Sequence, residues 1–327
     1  MSIRRLKSND PLLAFLILGF PPLDSICRWS TSYLANLTLP ELIRFFLIGW
    51  IQEPDFLLAL YSRDFPEGFV FDSWSGTKLC KALSVNTVLA CLVMHRCDLD
   101  EKEGSAFGRS LAVNSTLQTL VVENCKLNGE WEAGLGEGLA GSSALRVIRI
   151  SDTAIREEGG KRIGEGLMVN STLTSLDLCD NQFGEGGGRA LGAALAVNST
   201  LTSMEILDNL IGDGGCTRMG EALAVNSTLT YLDLSNNQIG NLGTAQLGEA
   251  LAVNTTLASL FFHDNQIGAF GELRIVQGLA VNPTLTDLSI DVHSVSIDAF
   301  LERNDHNLIL KSVSLFQLLW PRLAGNI

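Results

Sequence analysis

Apolar residues recur along this chain on a fixed beat. Leu89, Leu117, Leu145, Leu173, Leu201, Leu229, Leu257 and Leu285 stand 28 residues apart. The phrase Leu-Ala-Val-Asn-Ser-Thr-Leu begins at Leu111, Leu195 and Leu223, and again, with Thr for Ser, at Leu251. Three and five residues after each anchor come two more apolar positions, such as Leu232 and Leu234 after Leu229. Being two apart, they share one face of a strand. Further on the period changes. Leu191, Ala194 and Leu195 fall at helical spacing and predict an amphipathic helix. Gly184, Gly186, Gly187 and Gly188 lie between the two halves, as turn residues that let the helix pack close. Asn198 follows the last apolar turn and suits a left-handed cap at the helix end.

One strand and one helix cannot bury their own apolar faces, but stacked copies can. Parallel strands repeat every ~4.8 Å, whereas packed helices need about 8–10 Å. The stack must therefore curve, with strands inside and helices outside. The expected fold is α/β: a right-handed horseshoe solenoid of about eight 28-residue units, with one sheet face left uncovered.

In the clearest copy the pattern is Leu229, Leu232, Leu234, Asn237, Ile239, or L-x-x-L-x-L-x-x-N-x-I. Asn181, Asn209 and Asn265 share the Asn237 slot, and Cys97 and Cys125 fill it in the first two copies. A side chain there can bond backbone groups of neighbouring copies, so these six residues read as a structural ladder. Both cysteines then read as small buried groups and not as reactive thiols. The eighth copy carries His293 in the slot, and Leu310, Val313, Leu315 and Leu318 form a shortened ninth. The 28-residue length, the strand–helix unit and the Asn/Cys ladder resemble the ribonuclease-inhibitor class of leucine-rich repeats, over residues 76–318. That class includes ribonuclease inhibitor, NOD-like receptor repeat domains and the Ran GTPase-activating protein. The resemblance implies protein binding through the concave surface.

Residues 1–70 do not follow the period, whereas 71–327 form the array with a degenerate last repeat. The first segment is expected to be an apolar helical cap over the open first repeat. Within it, the stretch from Leu39 and Pro40 to Ile51, followed by Glu53 to Leu60 with Pro54 and Asp55 at the turn, resembles the opening of an F-box. On that alternative the chain would be a substrate adaptor of a ubiquitin ligase.

Composition narrows the function. Lys plus Arg total 23 against 36 Asp plus Glu, a net charge of −13, which argues against a nucleic-acid partner. Residues 1–70 carry only −1 of it, so the acidity belongs to the repeats. No apolar stretch approaches the roughly 20 residues of a membrane span. The seven cysteines contain no CxxC pair, and the four histidines have no metal or nucleophile spacing. Neither a metal, a cofactor nor an enzymatic activity is expected. Asn36, Asn114, Asn170, Asn198, Asn226 and Asn254 head Asn-x-Ser/Thr sequons, five of them at one repeat position. They read as repeat grammar, and the cytoplasm, where thiols stay reduced, is the expected compartment.

The outward strand positions are where function is expected. One column, between the second and third core residues, contains Arg149, Asp177, Glu205, Asp233 and Phe261. Beside it lie Glu123, Tyr231 and His263, and next to the ladder Asp180, Asp208 and Asp264. This acidic strip with aromatic neighbours predicts a protein partner with a basic surface. By analogy with the Ran regulator, a GTPase-activating role is the other alternative, with Arg156 as the candidate loop residue.

Overall fold

A computed structural model describes residues 79–291, apart from 82, 88, 96–102, 126 and 128, together with 300–304. The expected cap or F-box segment, ladder residue Cys97, His293 and the ninth copy lie outside the described residues. Among the described residues eight strands alternate with seven helices: β1 Cys91–His95, α1 Gly104–Val113, β2 Thr119–Glu123, α2 Glu130–Gly141, β3 Val147–Ser151, α3 Glu157–Val169, β4 Ser175–Asp177, α4 Gly184–Leu195, β5 Ser203–Glu205, α5 Gly212–Leu223, β6 Tyr231–Asp233, α6 Asn241–Leu251, β7 Ser259–Phe261, α7 Ala269–Val281 and β8 Asp287–Ser289. The strands form one sheet in sequence order, each parallel to the next and paired to the residue 28 further on. Successive helices pack against one another on one side of the sheet. Thus the α/β solenoid expected from the period is the fold observed.

Alternation along each strand separates the two faces. Leu176, Met204, Leu232 and Leu260 are buried and in register, and their flanking residues point away from the helices. The anchor leucines complete a continuous core running from Leu79 to Ile290. Phe107 and Trp131 add an aromatic pair between α1 and α2, ring centroids 4.9 Å apart.

Two asparagine ladders stitch the units together. At the strand exit, Asn237 donates to the carbonyls of Ile206, Leu234 and Ser235 and accepts from the N–H groups of Asn209 and Ile211. Asn181 and Asn265 repeat the pattern. Cys125 fills the slot with its Sγ 3.3 Å from the Glu123 carbonyl and 3.6 Å from that of Met94.

A second ladder lies at the helix exit, and here the expected left-handed cap is not what forms. Asn170, following α3, has φ −70° and ψ 132°, an extended conformation. The side chain does the work instead. Asn198 donates to the carbonyls of Leu167 and Asn170 in the preceding units and accepts from the N–H groups of Thr200 and Leu201. Asn114, Asn170, Asn226, Asn254 and Asn282 do the same. At the end of the row the Arg303 guanidinium replaces the amide, donating to the carbonyls of Leu279, Ala280 and Asn282.

This ladder bears on the sequons. The glycan-accepting atom would be Nδ2, and in Asn114, Asn170, Asn198, Asn226 and Asn254 that atom is buried and bonded to two carbonyls. Chain forced through a eukaryotic secretory pathway should emerge folded only if those five sites are unmodified. Intact mass and peptide mapping of the folded fraction check this. A folded, monodisperse product glycosylated at Asn198 or Asn226 would refute it.

Candidate functional site

The open face of the sheet gathers the sequence-predicted site residues, though not as equals. Asp180, Asp208 and Asp264 occupy a column completed by Asn124, Asp152 and Asn236, and all six have φ between 51° and 58°. Asp and Asn tolerate this left-handed conformation far better than other side-chain-bearing residues. Their identity is therefore explained by the turn that leaves each strand. The mixture of Asp and Asn in one column was the signal in the sequence.

The middle column has no such backbone requirement. Arg149, Asp177, Glu205, Asp233 and Phe261 stand side by side on consecutive strands, in register. At one end Arg149 Nε lies 2.6 Å from Asp177 Oδ2. The Asp177 side chain is largely covered, and its Oδ1 also accepts the Cys179 N–H. Glu123 is likewise buried. These two carboxylates face the array's own groups more than the solvent. Glu205 and Asp233 are only partly buried. Burial and then the neighbouring Asp177 push the Glu205 carboxyl above the usual range, with Arg149 opposing and Asp233 adding to the rise. Asp180 is raised in the same direction by burial and by Asp208, Asp152 and Asp177. This part of the face is crowded with like charge.

Beside Glu205 and Asp233 stand two aromatic rings. Tyr231 opens β6 and Phe261 ends β7, opposite Asp233. Their centroids are 5.3 Å apart with planes tilted by 35°. Partial burial, then Glu205, Asp233 and Asp287, push the Tyr231 hydroxyl up to about 12. His263 lies further along, half-buried, with Nδ1 2.7 Å from Asp264 Oδ2.

The helical side contrasts with this. Lys161 pairs with Glu157, Arg162 with Glu158 and Glu165, Arg189 with Glu185, Arg218 with Glu221, and Arg274 with Glu249. Other outer acids serve as caps. Asp213 accepts the N–H groups of Gly240 and Gly243 at the start of α6, and Glu132 accepts that of Arg156 before α3. Cations thus answer many of the outer acids, while Arg149 is the one Lys or Arg of the middle column.

Ligand atoms of Asp177, Cys179 and Glu205 lie within 4.8 Å of one another. Asp177 is already committed to Arg149 and to the Cys179 N–H, and burial pushes the Cys179 thiol up, followed by Asp177 and Glu205. A protonated thiol and a paired carboxylate are poor donors for a cation. Arg156, the candidate GTPase-activating residue, is exposed just before α3. One exposed feature was missed from the sequence. The valine before each helix-exit asparagine, as at Val197 and Val225, is more than half exposed and forms a row along the outer rim. Nothing in the structure explains its apolar character.

With the geometry in place, the comparisons can be set beside it. A Leucine Rich repeat family model matches residues 169–192 and 225–245, around the copies anchored by Leu173 and Leu229, with the Leu201 copy between them. Those two copies fit the leucine-rich repeat pattern. Among solved structures, the array is similar to one titled "Leiomodin-1 Actin-Binding Site 2 (ABS2)", at 19% identity and TM-score 0.41, covering 56% of this chain and 95% of that one. It is also similar to the tropomodulin C-terminal domain of Caenorhabditis elegans, at 15% identity and TM-score 0.34, covering 66% and 99%. A search of the curated proteins finds no match. Among the described residues no helix is long and apolar enough to cross a membrane.

Proposed function

We propose that this leucine-rich repeat chain is a non-catalytic binding module of the ribonuclease-inhibitor-like class, which holds a basic protein partner on the open face of its sheet. One observation carries the reading. Glu205 and Asp233 sit together, partly exposed, beside the Tyr231–Phe261 pair. Among the described residues no side chain pairs with them as Arg149 pairs with Asp177. Partly covered like charges and accessible aromatic area are both features that an opposite-charged partner relieves or uses. The buried thiols of Cys80, Cys125, Cys179 and Cys216 and the buried sequon asparagines support a reducing, non-glycosylating compartment, the cytoplasm.

The test reverses charge on the face. The double variant Glu205→Lys, Asp233→Lys should keep its far-UV circular dichroism and lose a captured basic partner by on the order of a hundredfold in affinity. As a control, Glu185→Lys and Glu221→Lys on the helices should leave capture unchanged. Affinity capture with mass spectrometry, repeated by titration with the partner so identified, reads the result. Undiminished binding by the folded double variant would remove the sheet face from the mechanism.

A further inference from the structure

We infer that the centre of the open face is a receptor for an arginine side chain of the partner, stacked on Tyr231 and Phe261 with its guanidinium on Glu205 and Asp233. This rests on the binding face proposed above and deepens it by naming the anchor.

The array already displays how it receives such a group. Arg149 lies in the middle column against Asp177, with Glu123 and Glu205 near enough to favour its charge. One strand further on, the Glu205–Asp233 pair repeats the arrangement of neighbouring carboxylates in register, and among the described residues no arginine forms an ion pair with it. The difference lies in what flanks the two places. At Arg149 the adjoining residues of the first outward column are Val147 and Ser175, whereas at Asp233 they are Tyr231 and Ser259, with Phe261 opposite. The vacant place therefore has aromatic faces that the occupied one lacks.

A separate observation marks the same spot. Ser235 follows Asp233 on the same side of the chain, and its N–H donates to Asp233 Oδ1 at 2.9 Å. Its hydroxyl is fully buried, with no hydrogen-bond partner among the described residues.

Arginine fits this chemistry better than lysine. Its planar head stacks on an aromatic ring while its five N–H donors fork onto two carboxylates. An ammonium is more strongly hydrated and presents no plane to the ring pair. Elsewhere in the array Arg303 shows the same affinity for a ring, its guanidinium carbon 5.2 Å from the Phe300 centroid.

The experiment uses the full chain labelled with 3-fluorotyrosine. Its three tyrosines give three fluorine resonances, and the Tyr231→Phe variant assigns one. The probe is the end-blocked pentapeptide Gly-Gly-Arg-Gly-Gly, with lysine and citrulline counterparts. The arginine peptide should move the Tyr231 resonance in a saturable way, the lysine peptide about fivefold more weakly, and the uncharged citrulline peptide not at all. Phe261→Leu should weaken the arginine peptide by about threefold. Glu205→Gln with Asp233→Asn should weaken it by tenfold or more, with the two other resonances unmoved throughout. Equal response to arginine and lysine, any response to citrulline, or a static Tyr231 resonance overturns the proposal. If the arginine peptide fails while the charge-reversed face still loses its protein partner, the binding face stands and the arginine anchor alone is wrong. If reversal leaves partner capture intact, the broader reading fails whatever the peptide does.

Discussion

Replacing Asn237 by Leu should lower the unfolding free energy of the array by about 4 kcal/mol, although the two side chains share one branched shape. Asn237 is fully buried and serves five backbone groups in its own and the preceding unit, the carbonyls of Ile206, Leu234 and Ser235 and the N–H groups of Asn209 and Ile211. A leucine satisfies none of them, and each backbone group left buried and unpaired costs about 1–3 kcal/mol. Part is recovered by relaxation, which sets the expected sum below the maximum. Asn237→Cys should cost less than half as much, because Cys125 occupies the same slot in the second copy with its Sγ close to two carbonyls. Guanidinium denaturation followed by circular dichroism measures both. Equal losses for the two variants would show that the slot demands packing rather than hydrogen bonds.

The second large effect concerns the helix–helix seam. A Cβ placed on Gly248 in α6 would stand 2.3 Å from the Arg274 carbonyl oxygen and 2.5 Å from its carbon in α7. Backbone cannot swing aside as a side chain can, so the helices must separate. Gly248→Ala should therefore destabilise by about 2 kcal/mol, even after the gain of roughly 1 kcal/mol in helix propensity. Gly186 in α4 is the informative partner. A Cβ there meets the Glu157 carboxylate, an exposed and flexible end held only by an ion pair to Lys161. Gly186→Ala should be neutral or stabilise by up to about 1 kcal/mol. The same substitution thus takes opposite signs two units apart. Matching thermal shifts for the pair would contradict close backbone approach as the reason for Gly248.

Much of this was legible in the residues. The spacing of Leu232 and Leu234 gave the strand and its inward face, Leu191, Ala194 and Leu195 gave the helix, and the interval of 28 gave the parallel register. Asn237 announced itself as a ladder because the slot holds Asn or Cys in the first seven copies apart from the third, where Thr153 stands. The remainder depends on contacts between units. Asn198 looks like a local helix cap until the Leu167 carbonyl, 31 residues earlier, is seen beside it. Asp180 and Asp208 look like recognition residues until their positive φ is known. Asp177 and Asp233 are equivalent in sequence pattern, and only the neighbouring strand separates them, Arg149 beside the one and Phe261 beside the other. Local periodicity assigns a residue to a face, but which member of a column is free depends on what the adjacent copies contribute.

The helix-exit ladder joins each asparagine to groups 28 and 31 residues away, and the strand-exit ladder does the same over 26, 28 and 31. Every bond is therefore unchanged by translation through one whole unit. Duplicating or deleting one such unit hands the fold the same set of partners it had before. Because the middle column is read across consecutive strands, each such change also inserts or removes one letter of the binding face, so that stability can be conserved while the order of charges on the sheet is rewritten.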